Sequence, residues 1–238
     1  MTIRDKNVDA RADISPAKIG YGVGDRFFFE DFEYVSTTNV ATGVPGLAVA
    51  LPAAAGGVTV LQNGGVDTNG IVVWSVGDAV LDRGPVDMYT TSLWSSQRDC
   101  TLKARFPGGD MTGILEGSIG WTTGTTTADH TDTYVKVNIG DDTGLPITIS
   151  VSEGGMPATT FGTGFPTTVV NVIELTLGAN SKVYLRVNGT AVVLPDTITF
   201  TAGRTWRAFA TIVGQSPAVR TLRNNVDYLL VSEARSDV

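Results

Sequence analysis

Carboxylates are the first residues to test for chemistry. Hydrolysis of a glycosidic bond needs two of them, an acid and a nucleophile or base, about 5 to 10 Å apart across one bond. The segment FEDFE offers Glu30, Asp31 and Glu33, but strand spacing does not put all three on one face. Glu116, in ILEGSIGW, stands alone. A hard cation wants several oxygens converging from one tight loop. GDDTG supplies Asp141 and Asp142, and ADHTD supplies Asp129, His130 and Asp132, neither with the oxygen spacing of a calcium loop. One histidine and one cysteine exclude a Cys/His zinc cluster by count. The same lone histidine, in a polar loop and without a Gly-x-Ser-x-Gly elbow, leaves no nucleophilic triad. GYGVGD, from Gly20 to Asp25, follows no strand and opens no helix, so it is not a phosphate loop. Cys100 reads as a small apolar residue in or beside a strand. No catalytic residue, metal ligand or cofactor is expected.

Aromatic residues are the other source of binding chemistry. Trp74, Trp94, Trp121 and Trp206 all fall at strand positions, where packing between sheets is the ordinary role. Trp121 differs because it leads into the polar stretch TTGTTTADHTDT, which makes it a candidate glycan contact. Phe161 and Phe165 lie in EGGMPATTFGTGFPTT, read as one long Gly/Thr/Pro loop. They are candidate contacts with a glycan or a partner subunit, because apolar residues on a loop gain by burial against a second surface.

The elements that must position these residues are strands. Runs such as FFFEDFEYV, VTVLQN, GIVVWSV, VDMYTTSLW, TLKARF and GILEGSIGW are rich in β-branched and aromatic residues and bounded by Gly, Pro or Asn. TYVKVNIG, ITISVSE, VNVIELTLG, KVYLRVNGTAVVL, TWRAFATIV and VDYLLVSEA continue the pattern. In TYVKVNIG, Val135, Val137 and Ile139 share one face, and Lys136 and Asn138 take the other. Asn188-Gly189 between two β-rich runs predicts a tight type I′ hairpin, since both residues tolerate positive φ. No helix of useful length is expected, and no fixed repeat is present.

At 238 residues the chain can bury a sizeable core without disulfide staples. The net charge of −7, with no basic stripe, argues against nucleic acid as a partner. The most apolar run, GLAVALPAAAGGVTVL, is broken by Pro52 and a Gly pair, so membrane insertion is not expected. The charged opening lacks the apolar core of an export signal, so synthesis in a cytoplasm is expected. Residues 1–25 mix both charge signs with small residues and lack the apolar content to fold alone, which divides the chain into an arm, 1–25, and a β-domain, 26–238.

Two stretches resemble known families. FFFEDFE, LKARF with GILEGSIGW, KVYLRVNGTAVV and NNVDYLLVSEA, in that order, resemble the concanavalin A-like, or laminin-G-like, jelly-roll superfamily. The resemblance implies an all-β, antiparallel two-sheet jelly-roll sandwich with an extended N-terminal arm. The glucanase branch of that superfamily carries Glu, Asp and Glu at alternate strand positions, which this sequence lacks, so the resemblance does not imply an enzyme. The opening IRDKNVDARADISPAKIG resembles a segment near the start of tailed-bacteriophage virion proteins, with Val8, Ala12, Ile14, Ala17, Lys18 and Ile19 at its positions and Pro16 as a departure.

Together the resemblances imply a non-enzymatic virion structural protein, a capsid decoration, cement protein or head fibre attached through its arm. They imply a homo-oligomer, a trimer at capsid threefold sites, and a major capsid or other virion protein as the arm's partner. The expected location is the virion exterior, after synthesis in the host cytoplasm. The alternatives are a carbohydrate-binding adhesin module of a phage tail or fibre, with a cell-surface glycan as partner, and, less favoured, a glycoside hydrolase.

Overall fold

A computed structural model describes residues 26–30, 46–50, 58–63, 71–76, 86–106, 114–124, 133–140, 146–154, 156–167, 169, 171–214, 222–226 and 228–234. Every regular element among them is a strand, and every pairing is antiparallel. One sheet runs, in spatial order, β1 (Arg26–Glu30), β17 (Tyr228–Glu233), β7 (Cys100–Phe106), β12 (Asn171–Leu177), β13 (Val183–Val187) and β14 (Thr190–Val192). The other runs β11 (Thr159–Gly162), β10 (Thr148–Ser152), β9 (Tyr134–Gly140), β8 (Ile114–Thr122), β15 (Thr205–Gly214), β5 (Val86–Thr90) and β2 (Leu47–Ala50), with β6 (Trp94–Ser95) also pairing β15. The protein is an all-β jelly-roll sandwich, as the strand pattern implies.

A third, three-stranded sheet of β16 (Leu222–Val226), β4 (Ile71–Val76) and β3 (Val58–Asn63) was not anticipated. It arises because NNVDYLLVSEA is divided. β16 joins β4, while β17 is inserted between β1 and β7 in the six-stranded sheet.

Alternation sets the core. In β7 and β12 every second residue is buried, and Leu102, Ala104, Ile173 and Leu175 meet Ile119, Trp121, Val135, Val137 and Ile149 from the facing sheet. Trp121 is fully buried there, and its indole N–H donates to the Leu175 carbonyl of β12 at 3.3 Å. Trp94 and Trp206 are also fully buried, with Phe200 edge-on to Trp206 at 5.6 Å.

The Asn-Gly hairpin forms as predicted. Asn188 has φ 53° and Gly189 φ 79°, and β13 pairs with β14 on either side. Two sequence expectations change. VDMYTTSLW is two strands, because Thr90 Oγ1 turns inward to accept from the Ala208 amide and the Trp94 indole, breaking the run. The long loop contains β11, since Thr159, Thr160 and Phe161 pair along β10 and Thr160 Oγ1 meets Ser150 Oγ at 2.8 Å.

Candidate functional site

The face of the eight-stranded sheet turned away from the core is polar. Register carries Tyr89, Phe209, Gly120, Lys136, Ser150 and Thr160 across six strands in one row. A second row holds Thr211, Ser118, Asn138 and Thr148, and a third Arg207, Thr122, Tyr134 and Ser152. These are the out-of-phase positions of strands whose other residues fill the core, so β-periodicity alone creates the face.

This face is not a solvated surface. Ser118 and Thr122 are fully buried, and Phe209, Tyr134, Thr211 and Lys136 are nearly so. Buried hydroxyls and ammonium groups are costly unless they find partners. Lys136 lies with its Nζ 4.8 Å from the Tyr134 ring centroid, a cation–π contact. The Arg207 guanidinium sits 5.9 Å from the Tyr89 ring and donates to the Thr90 and Thr91 carbonyls at 3.2 and 2.7 Å. Thr211 Oγ1 is buried with no hydrogen-bond partner. It is an orphan hydroxyl in the middle of a polar row.

Gly120 makes room at the centre. A Cβ there would collide with the Val135 carbonyl oxygen and come within 2.7 Å of Lys136 Cα, so β8 and β9 keep their close approach only with glycine at this position. The register also brings Asp87 opposite Thr211 and Glu116 opposite Val213, on strands two apart in the same sheet. Glu116, alone in the sequence, is thus brought to within two strands of Asp87 by the pairing, which spacing along the chain could not have indicated.

The residues singled out by sequence are dispersed. Trp121 is on β8 but points to the core, so its ring is not a glycan platform: alternation puts it in phase with Ile119. Phe161 and Phe165 are half-buried and packed against the core at the β11 edge, away from the three rows. Val8, Ala12, Ile14, Ala17, Lys18 and Ile19 lie outside the described residues, as do Asp31, Glu33, Asp129, His130, Asp132, Asp141 and Asp142. Among the described residues, no group of three or more His, Cys, Asp and Glu side chains gathers to hold a metal. No described helix is long and apolar enough to cross a membrane.

Cys100 is fully buried at the start of β7, and its thiol donates to the Ser95 carbonyl. Burial, with Glu233 and Asp99 nearby, pushes its pKa up to about 12. Such a thiol is not a nucleophile at neutral pH.

No family model matches the chain, and no curated protein matches it by sequence. Solved structures do resemble it. A protein of unknown function from Shewanella oneidensis MR-1 superposes with a TM-score of 0.60 at 11% identity, over 97% of this chain and 98% of that one. A β-glucanase of Bacillus licheniformis gives 0.57 at 10% identity, over 88% of this chain and 98% of its own. The carbohydrate recognition domain of Emp47p gives 0.56 at 8% identity, over 87% of this chain and 95% of its own. At these identities the likeness establishes the architecture: the chain has the jelly-roll fold found in lectin-like and glycoside-hydrolase proteins.

Proposed function

We propose that this chain is a non-enzymatic carbohydrate-binding module. The jelly-roll architecture carries the reading. Carbohydrate recognition and glucan hydrolysis among similarly folded proteins accord with this use of the architecture.

The decisive experiment is a glycan array probed with the purified chain. Saturable binding to at least one glycan, competed by the same sugar free in solution, is the expected outcome. Binding to none of them refutes the reading. Thr211→Val removes a buried, unpartnered hydroxyl with little change of shape, so thermal stability should hold or rise. Release of reducing ends from a polysaccharide panel, abolished by Glu116→Gln or Asp87→Asn, would instead make the chain a hydrolase.

A second reading, attachment to a virion as a decoration or fibre subunit, rests on the sequence of residues 1–25. It gains support from the way β1 is fastened next to that segment. Arg26 donates to the Leu93 carbonyl at 2.6 Å, stacks 4.5 Å from the Trp94 ring and pairs with Glu233 at 3.8 Å. An arm leaving this point would pull on a pinned residue. Copurification with virions at a copy number in the hundreds, lost on deletion of residues 1–20, is the outcome this reading requires.

A further inference from the structure

On the opposite side of the sandwich, β14 is short. It pairs with β13 only from Thr190 to Val192. The chain then swings away, tightens through an Ile198 N–H to Pro195 carbonyl bond of 3.0 Å, and returns to bridge Lys182 at Thr199. The gap left beside Val183 and Tyr184 is a pocket of about 450 Å³. That lies within the usual size of small-molecule sites, about 300–1,000 Å³.

The pocket has an apolar floor, including Leu185, Val192 and Ile198. Its wall is the Tyr184 ring, 48% exposed. The ring is held in place from two sides. Its hydroxyl accepts from Asn180 Nδ2 at 2.8 Å, and Gly178 is so close beneath it that a Cβ there would stand 2.7 Å from the ring. Four charged residues line the same space: Lys182 and Asp196, paired at 3.4 Å, with Glu174 and Arg186. Glu174 is engaged by Lys103 at 3.5 Å, while the Arg186 guanidinium has no partner among the described residues.

Two cations and two anions leave the lining without net charge, so a charged ligand gains little from it. A fixed, exposed phenol ring beside an unpartnered guanidinium and carboxylates suits a ligand with one C–H face and a hydroxyl edge. We propose that the β13–β14 pocket is a binding site for a neutral hexopyranose unit, stacked on Tyr184 and hydrogen-bonded by Arg186. This site rests on the carbohydrate-binding reading, and a chain that binds glycans without needing Tyr184 or Arg186 would keep that reading and lose this site.

Saturation-transfer NMR with methyl hexopyranosides tests it on the full chain. Tyr184→Ala and Arg186→Ala should each weaken binding about tenfold or more, as loss of a stacking surface or a charge-assisted hydrogen bond would. Tyr184→Phe should keep most of the affinity. Unaltered melting curves would show that the exposed substitutions spare the fold. Sugar binding indifferent to Tyr184→Ala and Arg186→Ala overturns the proposal, as does an absence of transfer to any of the sugars at millimolar concentration. A pocket that takes short extended peptides in place of sugars overturns it too.

Discussion

Three buried tryptophans make different use of their one polar atom. Trp94 donates to Thr90 Oγ1 and Trp121 to the Leu175 carbonyl, while the Trp206 N–H is buried without a partner. Replacing each with Phe removes similar volume, but only the first two lose a hydrogen bond, worth about 1 kcal/mol. Urea midpoints at unchanged m should therefore rank Trp206→Phe as the mildest of the three. A larger loss at Trp206 would contradict this account. Cys100 gives a second test at the same scale. Its folded pKa of about 12 stands above the unfolded value of 9.0, so its contribution to stability is complete below pH 9 and is lost as pH rises from there through 12. The native thiol should resist Ellman's reagent at pH 8 and react fully once guanidinium unfolds the chain. Types and alternation in the sequence indicated the buried role of Cys100. They could not tell which tryptophan would lack a partner, because Trp94 depends on a hydroxyl turned inward at a break in its strand and Trp121 on a carbonyl of the facing sheet.

Hairpin and loop depend on one another. Asn188 Oδ1 accepts from the Val172 amide at 2.7 Å, and its Nδ2 donates to Asn171 Oδ1 at 3.1 Å. Asn171 Nδ2 in turn holds the Pro166 and Val169 carbonyls at the end of the stretch that follows β11. Asn188→Ala would put a left-handed φ on alanine and cut both bonds. The expected cost is about 3 kcal/mol, the sum of a backbone penalty and two lost hydrogen bonds. Hydrogen exchange should quicken at Val172 and through residues 163–167. If exchange changes only at the turn, the coupling is wrong. The turn itself was legible, since Asn-Gly between strand-forming runs has a local cause. β11 was not, because its Gly, Thr and Pro content reads as loop until β10 offers a pairing edge.

The last strand is central to the molecule as a whole. β17 lies between β1 and β7, with Leu229 and Val231 in the core and Glu233 held between Arg26 at 3.8 Å and Arg98 at 3.7 Å. A chain ending at residue 226 loses two sheet interfaces and part of the core together. It should show no cooperative thermal transition, whereas the full chain should melt in one. A cooperative melt in the truncated protein would mean that the six-stranded sheet closes without β17. Because β17 completes contacts distant in sequence, refolding of the full chain should also be slow for its size.

The sequence by itself determined the class of the protein, the alternation that fills one face of each sheet, and the Asn-Gly turn. All three follow from interactions between residues a few positions apart. It also left Trp121 open as a surface residue and Glu116 as a solitary one. Only the tertiary structure decided that Trp121 reaches across to β12 and that Thr211 is buried unpaired among polar neighbours. It alone opened the pocket at Tyr184, where β14 parts from β13. These features come from the pairing of strands far apart in the chain, and strand order and register are not written in the local pattern of any one strand.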